Sequence, residues 1–258
     1  MKNYIAIIAL TGLFLFSGCV RFGMKNATIS EKYDHSEMYK TGGSTIGNAV
    51  SEIEIDWTAG HVTVEAYDGI ELTFDEASAT DLTDDLKLHY WLQDDGKLKI
   101  KFAKSGTKYK NLEKELTVKV PNSWTLAKVE LEVVSAGVEM NGISCGEVGF
   151  EGVSSDLSLN GCTARKVEAE LVSGNTSLDF RSDVAAAEQP QSISIESVSG
   201  NATICLPEGW GFKAEMESVS GKFDCPFASK VDKGEYLYGN GATEIEVETV
   251  SGSLSIRQ

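Results

Sequence analysis

The sequence has little of what most active sites and metal centres are built from. It contains three histidines and four prolines in 258 residues, and none of its five cysteines lies in a C-x-x-C pair. A zinc site or a thioredoxin-like redox site is therefore unsupported. Glycine-rich phosphate loops are also absent, because the glycines lie inside alternating apolar segments rather than between a strand and a helix. The sequence thus predicts no cofactor.

The three histidines are the only side chains available as bases at neutral pH. His35 precedes the repeated part of the chain, His61 lies at an outward position within it, and His89 lies between two apolar residues of a strand-like segment. No serine or cysteine nucleophile can be assigned to any of them from the sequence. We therefore interpret all three as ordinary surface histidines and predict that the protein is not an enzyme.

Basic residues are scarce, with 23 Lys and Arg against 39 Asp and Glu and a formal net charge of −16. Phosphate contacts need Lys and Arg, so nucleic acid is not expected as a partner. Nine lysines nevertheless cluster in residues 97–128, opposed only by Glu113 and Glu115. This basic segment could bind anionic lipid or wall polymer. Lysines that keep exposed strands from pairing with other chains explain it at least as well.

The N-terminus has the pattern of a targeting segment. Lys2 precedes an apolar run of about a dozen residues that is too short to span a bilayer comfortably. The run ends in Leu15-Phe16-Ser17-Gly18-Cys19, which resembles the lipobox of bacterial lipoproteins. The resemblance implies a signal peptide over residues 1–18, lipidation at Cys19 and an extracytoplasmic protein anchored to the bacterial cell membrane. An ordinary secretory signal with an incidental cysteine is the alternative.

The residues after Cys19 are polar up to about residue 48 and rich in Gly, Ser, Lys and Asn. This composition predicts a flexible tether over residues 19–48, followed by a single domain over residues 49–258.

A short pattern recurs seven times and dominates that domain. Counted from a Ser or Ala at position 0, apolar residues stand at −6, −4, −1, +3 and +5, and a small residue stands at +1. The alternation places those side chains on one face of a strand, and the slip between −4 and −1 predicts a bulge or corner. The seven copies have position 0 at Ala59, Ser135, Ser154, Ser173, Ser199, Ser220 and Ser251.

Such a repeat is typical of a stack of β-coils, and it predicts an all-β solenoid of about seven short coils. Between the first and second copies, residues 70–74, 86–90, 98–102 and 116–120 alternate like longer antiparallel strands. We expect this insertion to broaden and cap one end of the stack.

Two explanations compete for the small residue at +1, a left-handed backbone or lack of space for a side chain. Ala136 would be costly at positive φ, so we favour the steric explanation there. It predicts that Gly200→Val destabilises the domain by overpacking.

The domain resembles a bacterial family of β-strand-repeat domains of unknown function that are proposed adhesins. The resemblance rests on the Ile53–Val64 opening, the Val118–Pro121 strand end, the Val-Ser-Gly coils, Cys205-Leu206-Pro207 and the turn at Tyr238–Gly241. It covers roughly residues 50 to 258. It implies a right-handed, β-solenoid-like fold in a surface-exposed or membrane-anchored protein, and it brings no catalytic residues.

The most regular polar feature is a carboxylate at position −3 of every copy, pointing away from the core. Equivalent residues of stacked coils lie about 4.8 Å apart, so these like charges are expected to line up. One interpretation is a solvated face that keeps the sheet soluble. The other is a ladder that binds divalent cations or a basic partner. The seven residues are Asp56, Glu132, Glu151, Glu170, Glu196, Glu217 and Glu248.

Cys145 and Cys162 lie in loops that close consecutive coils and could be neighbours. A disulfide between them is one alternative, and free thiols are the one we favour.

The sequence as a whole predicts a non-enzymatic surface lipoprotein that presents a solenoid for binding or scaffolding in the cell envelope. Its expected partners are the membrane, through the lipid anchor, and an envelope polymer or protein. An extracytoplasmic sensor or accessory of an envelope-stress system is the main alternative. A carbohydrate-active β-helix enzyme ranks lower, because a regular carboxylate row lacks the convergent acid/base set of a cleft.

Overall fold

The structure is a computed structural model that describes residues 28–47, 50–181, 189–232 and 234–258. The signal segment and Cys19 lie outside the described residues. The described chain is all-β apart from one 3₁₀ turn at Ser36–Met38. Its strands are β1 (Lys40–Thr41), β2 (Ser44–Ile46), β3 (Glu52–Tyr67), β4 (Leu72–Ala77), β5 (His89–Leu92), β6 (Lys97–Lys101), β7 (Lys114–Pro121), β8 (Leu126–Asn141), β9 (Ser144–Ser154), β10 (Leu157–Asn160), β11 (Thr163–Ser173), β12 (Thr176–Asp179), β13 (Ser192–Ser199), β14 (Ala202–Cys205), β15 (Phe212–Ser218), β16 (Phe223–Asp224), β17 (Ser229–Asp232), β18 (Glu235–Tyr238), β19 (Thr243–Ser251) and β20 (Leu254–Arg257).

The parallel strands form two layers. In the first layer the spatial order is β6, the first half of β3, the first half of β8, β9, β11, β13, β19 and β15. In the second layer it is β7, the second half of β3, the second half of β8, β10, β12, β14, β20 and β16. The apolar side chains of both layers form one continuous core cluster. The array does not close on itself, because antiparallel strands flank its ends.

The last repeat copy is not at the end of the stack. Strand β19 lies between β13 and β15, with Glu248 paired to Glu196 on one side and to Glu217 on the other. Likewise β20 lies between β14 and β16. The coil formed by β19 and β20 therefore lies inside the stack, whereas the repeat read in chain order would place it last.

The corner of each coil lies nearer to position 0 than the repeat predicted. The buried alternation continues from −4 to −2, where Trp57, Val133 and Leu171 are at most 2% exposed. The residue at −1 is buried in two coils, as Thr58 and Val153, and Val219 and Val250 are 75% and 40% exposed. The prediction of a core residue at −1 is thus wrong for most copies, because the strand keeps its period of two for one more residue before it turns.

Both explanations for the small residue at +1 hold, at different coils. Gly174 and Gly200 have φ of +136° and +146°, and a Cβ on Gly200 would lie 1.7 Å from the backbone oxygen of Gly174. Ala136 and Ser155 lie in the same position with buried side chains. The steric prediction is confirmed at Gly200, where a positive φ adds to it.

The insertion between the first two copies does more than cap the stack. Strands β6 and β7 pair in parallel with the two halves of β3 and so continue both layers by one coil. The antiparallel strands lie outside them, with β5 on β6 and β4 on β7. Ile70, predicted as part of a strand, is instead 85% exposed just before β4.

Residues 28–47 of the predicted tether are part of the domain. Strand β1 pairs with β5 and β2 with β4. Ile29 exchanges backbone hydrogen bonds with Tyr109 at 2.9 and 3.1 Å, and Tyr33 is buried. The polar composition predicted flexibility here, but a few apolar side chains suffice to hold the segment on the stack.

All four cysteines of the described domain are free thiols. Cys145 and Cys162 are buried, and burial raises the pKa of Cys145 to about 12 and that of Cys162 to about 11. Both are therefore protonated core residues at neutral pH.

Candidate functional site

Position −3 forms one continuous row across the outer face of the first layer. Backbone register places neighbouring members directly opposite each other from strand to strand. We call this row the acidic ladder and each of its carboxylates a rung. In spatial order the rungs are Asp56, Glu132, Glu151, Glu170, Glu196, Glu248 and Glu217. Strands in a sheet are about 4.8 Å apart, so the ladder repeats a carboxylate at that interval.

The rows beside the ladder are chemically different from it. Position −7 alternates in sign across β3, β8, β9 and β11, as Glu52, Lys128, Glu147 and Lys166. Lys128 Nζ lies 3.0 Å from Glu147 and 3.3 Å from Glu130 of the −5 row. The −7 row thus neutralises its own neighbours, and its lysines form no ion pair with the ladder.

Most of the ladder has no compensating charge. Six of its members form no ion pair within 4.0 Å with any described Lys, Arg or His: Glu132, Glu151, Glu170, Glu196, Glu248 and Glu217. Burial, followed by the charges of neighbouring glutamates, raises the pKa of Glu151, Glu196 and Glu248. The row therefore carries stored repulsion that a cationic group would relieve.

At the first end of the ladder, beside Asp56, lysines of the same chain supply the compensating charge. Strand β6 carries Lys97, Lys99 and Lys101 in register with Glu52, Glu54 and Asp56 of β3. The ammonium groups of Lys97, Lys99 and Lys101 lie 2.7, 3.0 and 3.1 Å from the Glu54 carboxylate, and Lys101 also contacts Asp56. Burial works against ionisation of Glu54, yet these lysines lower its pKa to about 2. A basic strand is thus already bound along one edge of the acidic surface.

The predicted basic segment is used mainly inside the fold. Seven of its nine lysines pair with carboxylates of the same chain: Lys97, Lys99, Lys101, Lys104, Lys114, Lys119 and Lys128. The segment therefore offers less free positive charge to a lipid surface than its composition suggested.

Within the described residues, no group of three or more His, Cys, Asp or Glu side chains is arranged to hold a metal ion. The ladder offers carboxylates side by side along a flat face rather than converging on a point. A calcium site built from several protein oxygens needs such convergence.

Two of the three histidines are surface residues, as predicted. His35 and His61 approach Glu37 and Glu139 at 3.8 and 3.9 Å on the surface. The prediction is wrong for His89, which is 5% exposed and bonded to the Thr41 hydroxyl at 3.2 Å. Burial lowers the pKa of His89, which favours a neutral structural role.

A cavity of about 780 Å³ lies on the second layer beside β2, β4 and β7. Its carboxylates include Glu65 and Glu76, which pair with Lys119 at 3.2 Å and Lys114 at 2.5 Å. These two carboxylates are committed to ion pairs, so the cavity is a weaker candidate site than the ladder.

The two layers of parallel strands define an open, all-β repeat protein. A model of the family described as Toastrack DUF4097, a domain of unknown function, matches residues 50–182. The chain belongs to that family. No curated protein matches the chain.

Solved structures resemble this chain at low sequence identity. A proposed cell adhesion protein from Clostridium sporogenes is 17% identical, with a TM-score of 0.55, covering 85% of this chain and 100% of its own. A proposed adhesin from Bacteroides fragilis is 13% identical with a TM-score of 0.47, covering 84% and 97%. The first likeness supports the repeat fold. No helix in the described part of the chain is long and apolar enough to cross a membrane.

Repulsion within the ladder leads to a stability prediction for Glu196→Gln. At low salt we expect this variant to be more stable than the wild type by about 0.2–1 kcal/mol, because a like-charge neighbour is removed. The matched control is Glu168→Gln, which loses the 2.6 Å pair with Lys166 and should gain nothing. Urea unfolding at low and high salt measures both, and a loss of stability in Glu196→Gln at low salt would contradict the prediction.

Three glutamates of the ladder determine whether the stability of the fold rises or falls with pH. Folding raises the pKa of Glu151, Glu196 and Glu248 above the ordinary 4.5. The folded state then binds more protons than the unfolded state, so their contribution to stability declines as pH rises from about 4.5 through the raised values.

Proposed function

We propose that the protein is a non-enzymatic surface protein whose acidic ladder binds a basic partner, an extended Lys- or Arg-rich segment of an envelope protein or polymer. The observation that carries the proposal is the contrast along the ladder. At Asp56 and Glu54 a lysine-bearing strand of the chain itself supplies the cations, whereas the rungs from Glu151 to Glu217 receive none among the described residues.

The geometry of β6 suggests how a partner would lie. Its lysines alternate with core residues, so every second side chain faces the carboxylates, and a partner strand or polymer would present cations at about the same interval. An elongated partner gains from many weak contacts, because each exposed ion pair contributes only up to about 1 kcal/mol. A flat row of this kind favours long, basic ligands over small molecules.

The proposed location is the outer face of the bacterial membrane, through lipidation at Cys19. The lipobox-like Leu15–Cys19 supports this part. The proposed adhesion role of the Clostridium and Bacteroides structures is compatible with a surface protein.

Binding of a ten-residue oligolysine tests the ladder directly. The variant is Glu170→Gln/Glu196→Gln/Glu248→Gln, and we expect it to weaken binding at low salt by about tenfold, the sum of three weak ion pairs. The control changes net charge equally at exposed acids elsewhere, through Asp81→Asn/Asp94→Asn/Glu208→Gln. It should leave affinity within about twofold, since screening limits the reach of distant charges.

Calorimetric titration of the three proteins at low and high salt measures these affinities. Equal weakening in both triple variants would show that net charge alone acts, and absence of oligolysine binding to the wild type would overturn the proposal.

A further inference from the structure

The described N-terminal segment lies over the first two rungs of the acidic ladder. Its Glu31 is anchored by the Gly106 N–H, which donates to the Glu31 carbonyl oxygen at 2.7 Å. Two residues on, the Tyr33 hydroxyl donates to the Ala103 carbonyl oxygen at 3.1 Å. The ring of Tyr33 also lies 5.9 Å from Lys101 Nζ. We call residues 28–39 the covering segment.

Asp56 presents an unusual oxygen beneath this segment. Its Oδ2 contacts Lys101, but its Oδ1 is fully buried and receives no hydrogen bond from an amide, hydroxyl or ammonium group of the described chain. The charge of Asp56 and side-chain hydrogen bonding with it both raise the pKa of Glu31, so the Glu31 carboxyl is the group that faces Asp56 from the covering segment. Two buried carboxyl groups in contact are stable when one of them carries a proton and donates it to the other.

We propose that Glu31 and Asp56, beside Glu132, form a proton-binding site that holds the covering segment on the acidic ladder. The ligand is a single proton shared between the two carboxyl groups. When the proton leaves, Glu31 and Asp56 are two adjacent carboxylates that share the ammonium group of Lys101 with Glu54. Their repulsion releases the covering segment.

The surrounding charges explain why a proton is needed here. Lys101 already serves Glu54 and Asp56, so a negative charge on Glu31 has no cation of its own. The charged and titratable groups around the site, strand by strand, are Lys99 and Lys101 of β6, Glu54 and Asp56 of β3, Glu132 of β8, Glu151 of β9, Tyr33 and Tyr39 of the N-terminal segment, and Tyr109.

The acidities agree with this assignment. Burial, followed by the charge of Asp56, raises the pKa of Glu31 from 4.5 to about 8. The same two causes, with the charge of Glu151, raise the pKa of Glu132 to about 8. Since the docked state binds the extra proton, docking is most favourable below about pH 4.5 and is lost as pH rises through about 8.

The consequence for binding, which rests on the proposed function, is that the number of ladder carboxylates accessible to a basic partner changes with pH. With the proton in place Asp56 and Glu132 are covered, and a basic partner meets only the rungs from Glu151 onward. Above about pH 8 the first two rungs join the exposed row.

Amide hydrogen exchange of the covering segment tests the site without any ligand. We expect protection of the Ile29 and Tyr33 amides, corrected for intrinsic exchange, to fall by at least about tenfold between pH 6 and pH 9, equivalent to more than one pKa unit of coupling. Glu31→Gln keeps a hydrogen-bond donor that does not ionise, so its protection should fall clearly less than that of the wild type over the same pH range. The control Glu37→Gln alters an exposed carboxylate of the same segment and should behave as the wild type.

An equal fall in Glu31→Gln, or no fall in the wild type, would overturn the site. Carbon-detected NMR titration of the Glu31 carboxyl gives a second measurement that does not depend on any variant. A Glu31 pKa near 4.5 in the folded protein would also overturn it. None of these outcomes bears on oligolysine binding by the exposed rungs, so the two proposals fail separately.

Discussion

Replacing Lys114 by alanine is expected to destabilise the domain by about 3–5 kcal/mol, because it leaves a buried carboxylate without its partner. The Lys114 side chain is completely buried, and Nζ lies 2.5 Å from Glu76 and 2.9 Å from the Leu86 carbonyl oxygen. It also lies 4.2 Å from the ring centre of Phe102. Burial lowers the pKa of Lys114, but the Glu76 carboxylate favours its charged form.

Chemical denaturation measures the loss, and two further variants identify its cause. Lys119→Ala removes an exposed lysine from the same strand, whose 3.2 Å pair with Glu65 is worth at most about 1 kcal/mol. Lys114→Met combined with Glu76→Leu should cost less than Lys114→Ala alone, because it leaves no uncompensated charge. If Lys114→Ala were no worse than Lys119→Ala, the prediction that an unpaired buried carboxylate destabilises the domain would be wrong.

Gly200→Val is the second large effect, with an expected loss of about 3 kcal/mol or more. The added Cβ would lie 1.7 Å from the backbone oxygen of Gly174, and neither backbone can move without breaking the strand pairing. A β-branched residue at φ of +146° adds strain of its own. Both the clash and the strain act in the folded state, so the melting temperature should fall.

Gly209→Val separates the clash from the strain. Gly209 has φ of +86°, and no described atom lies within 4 Å of the place that its Cβ would occupy, so this variant reports backbone strain without a clash. Thermal unfolding of both variants should show a clearly larger loss at Gly200. Equal losses would assign the whole effect to backbone conformation.

The acidic ladder could be predicted from the sequence because its geometry is local. A strand alternates with a period of two, so a carboxylate placed between two core positions must face outward wherever the strand lies. Glu132, Glu151 and Glu170 stand at equal spacing of 19 residues in the sequence, which implies one coil per step. For these three residues nothing beyond strand alternation and regular coil length was needed.

Long-range contacts could not be predicted in the same way. Glu31 reaches Asp56, and Lys114 reaches Glu76, through the path of the intervening chain, and no periodic signal records that path. The loops also let β19 enter the stack ahead of β15, although the repeat at Ser220 precedes the one at Ser251 in sequence.

The error at position −1 has a chemical origin. Valine recurs there and suggested the core, while polar Ser197 and Thr249 occupy the truly buried position −2 in two coils. These two side chains bond each other at 3.0 Å, which satisfies their hydroxyl groups inside the protein. A buried polar pair of this kind hides a core position from any analysis based on apolar residues.

The internal position of β19 also constrains how the protein can be made. On the ribosome, β15 and β18 emerge before residues 243–251, yet the parallel neighbour that joins β15 to the stack is β19. The edge of β15 that pairs with β19 therefore stays unpaired until residues 243–251 have been synthesised. To complete the stack, β19 has to enter between β13 and β15 rather than add a coil at one end.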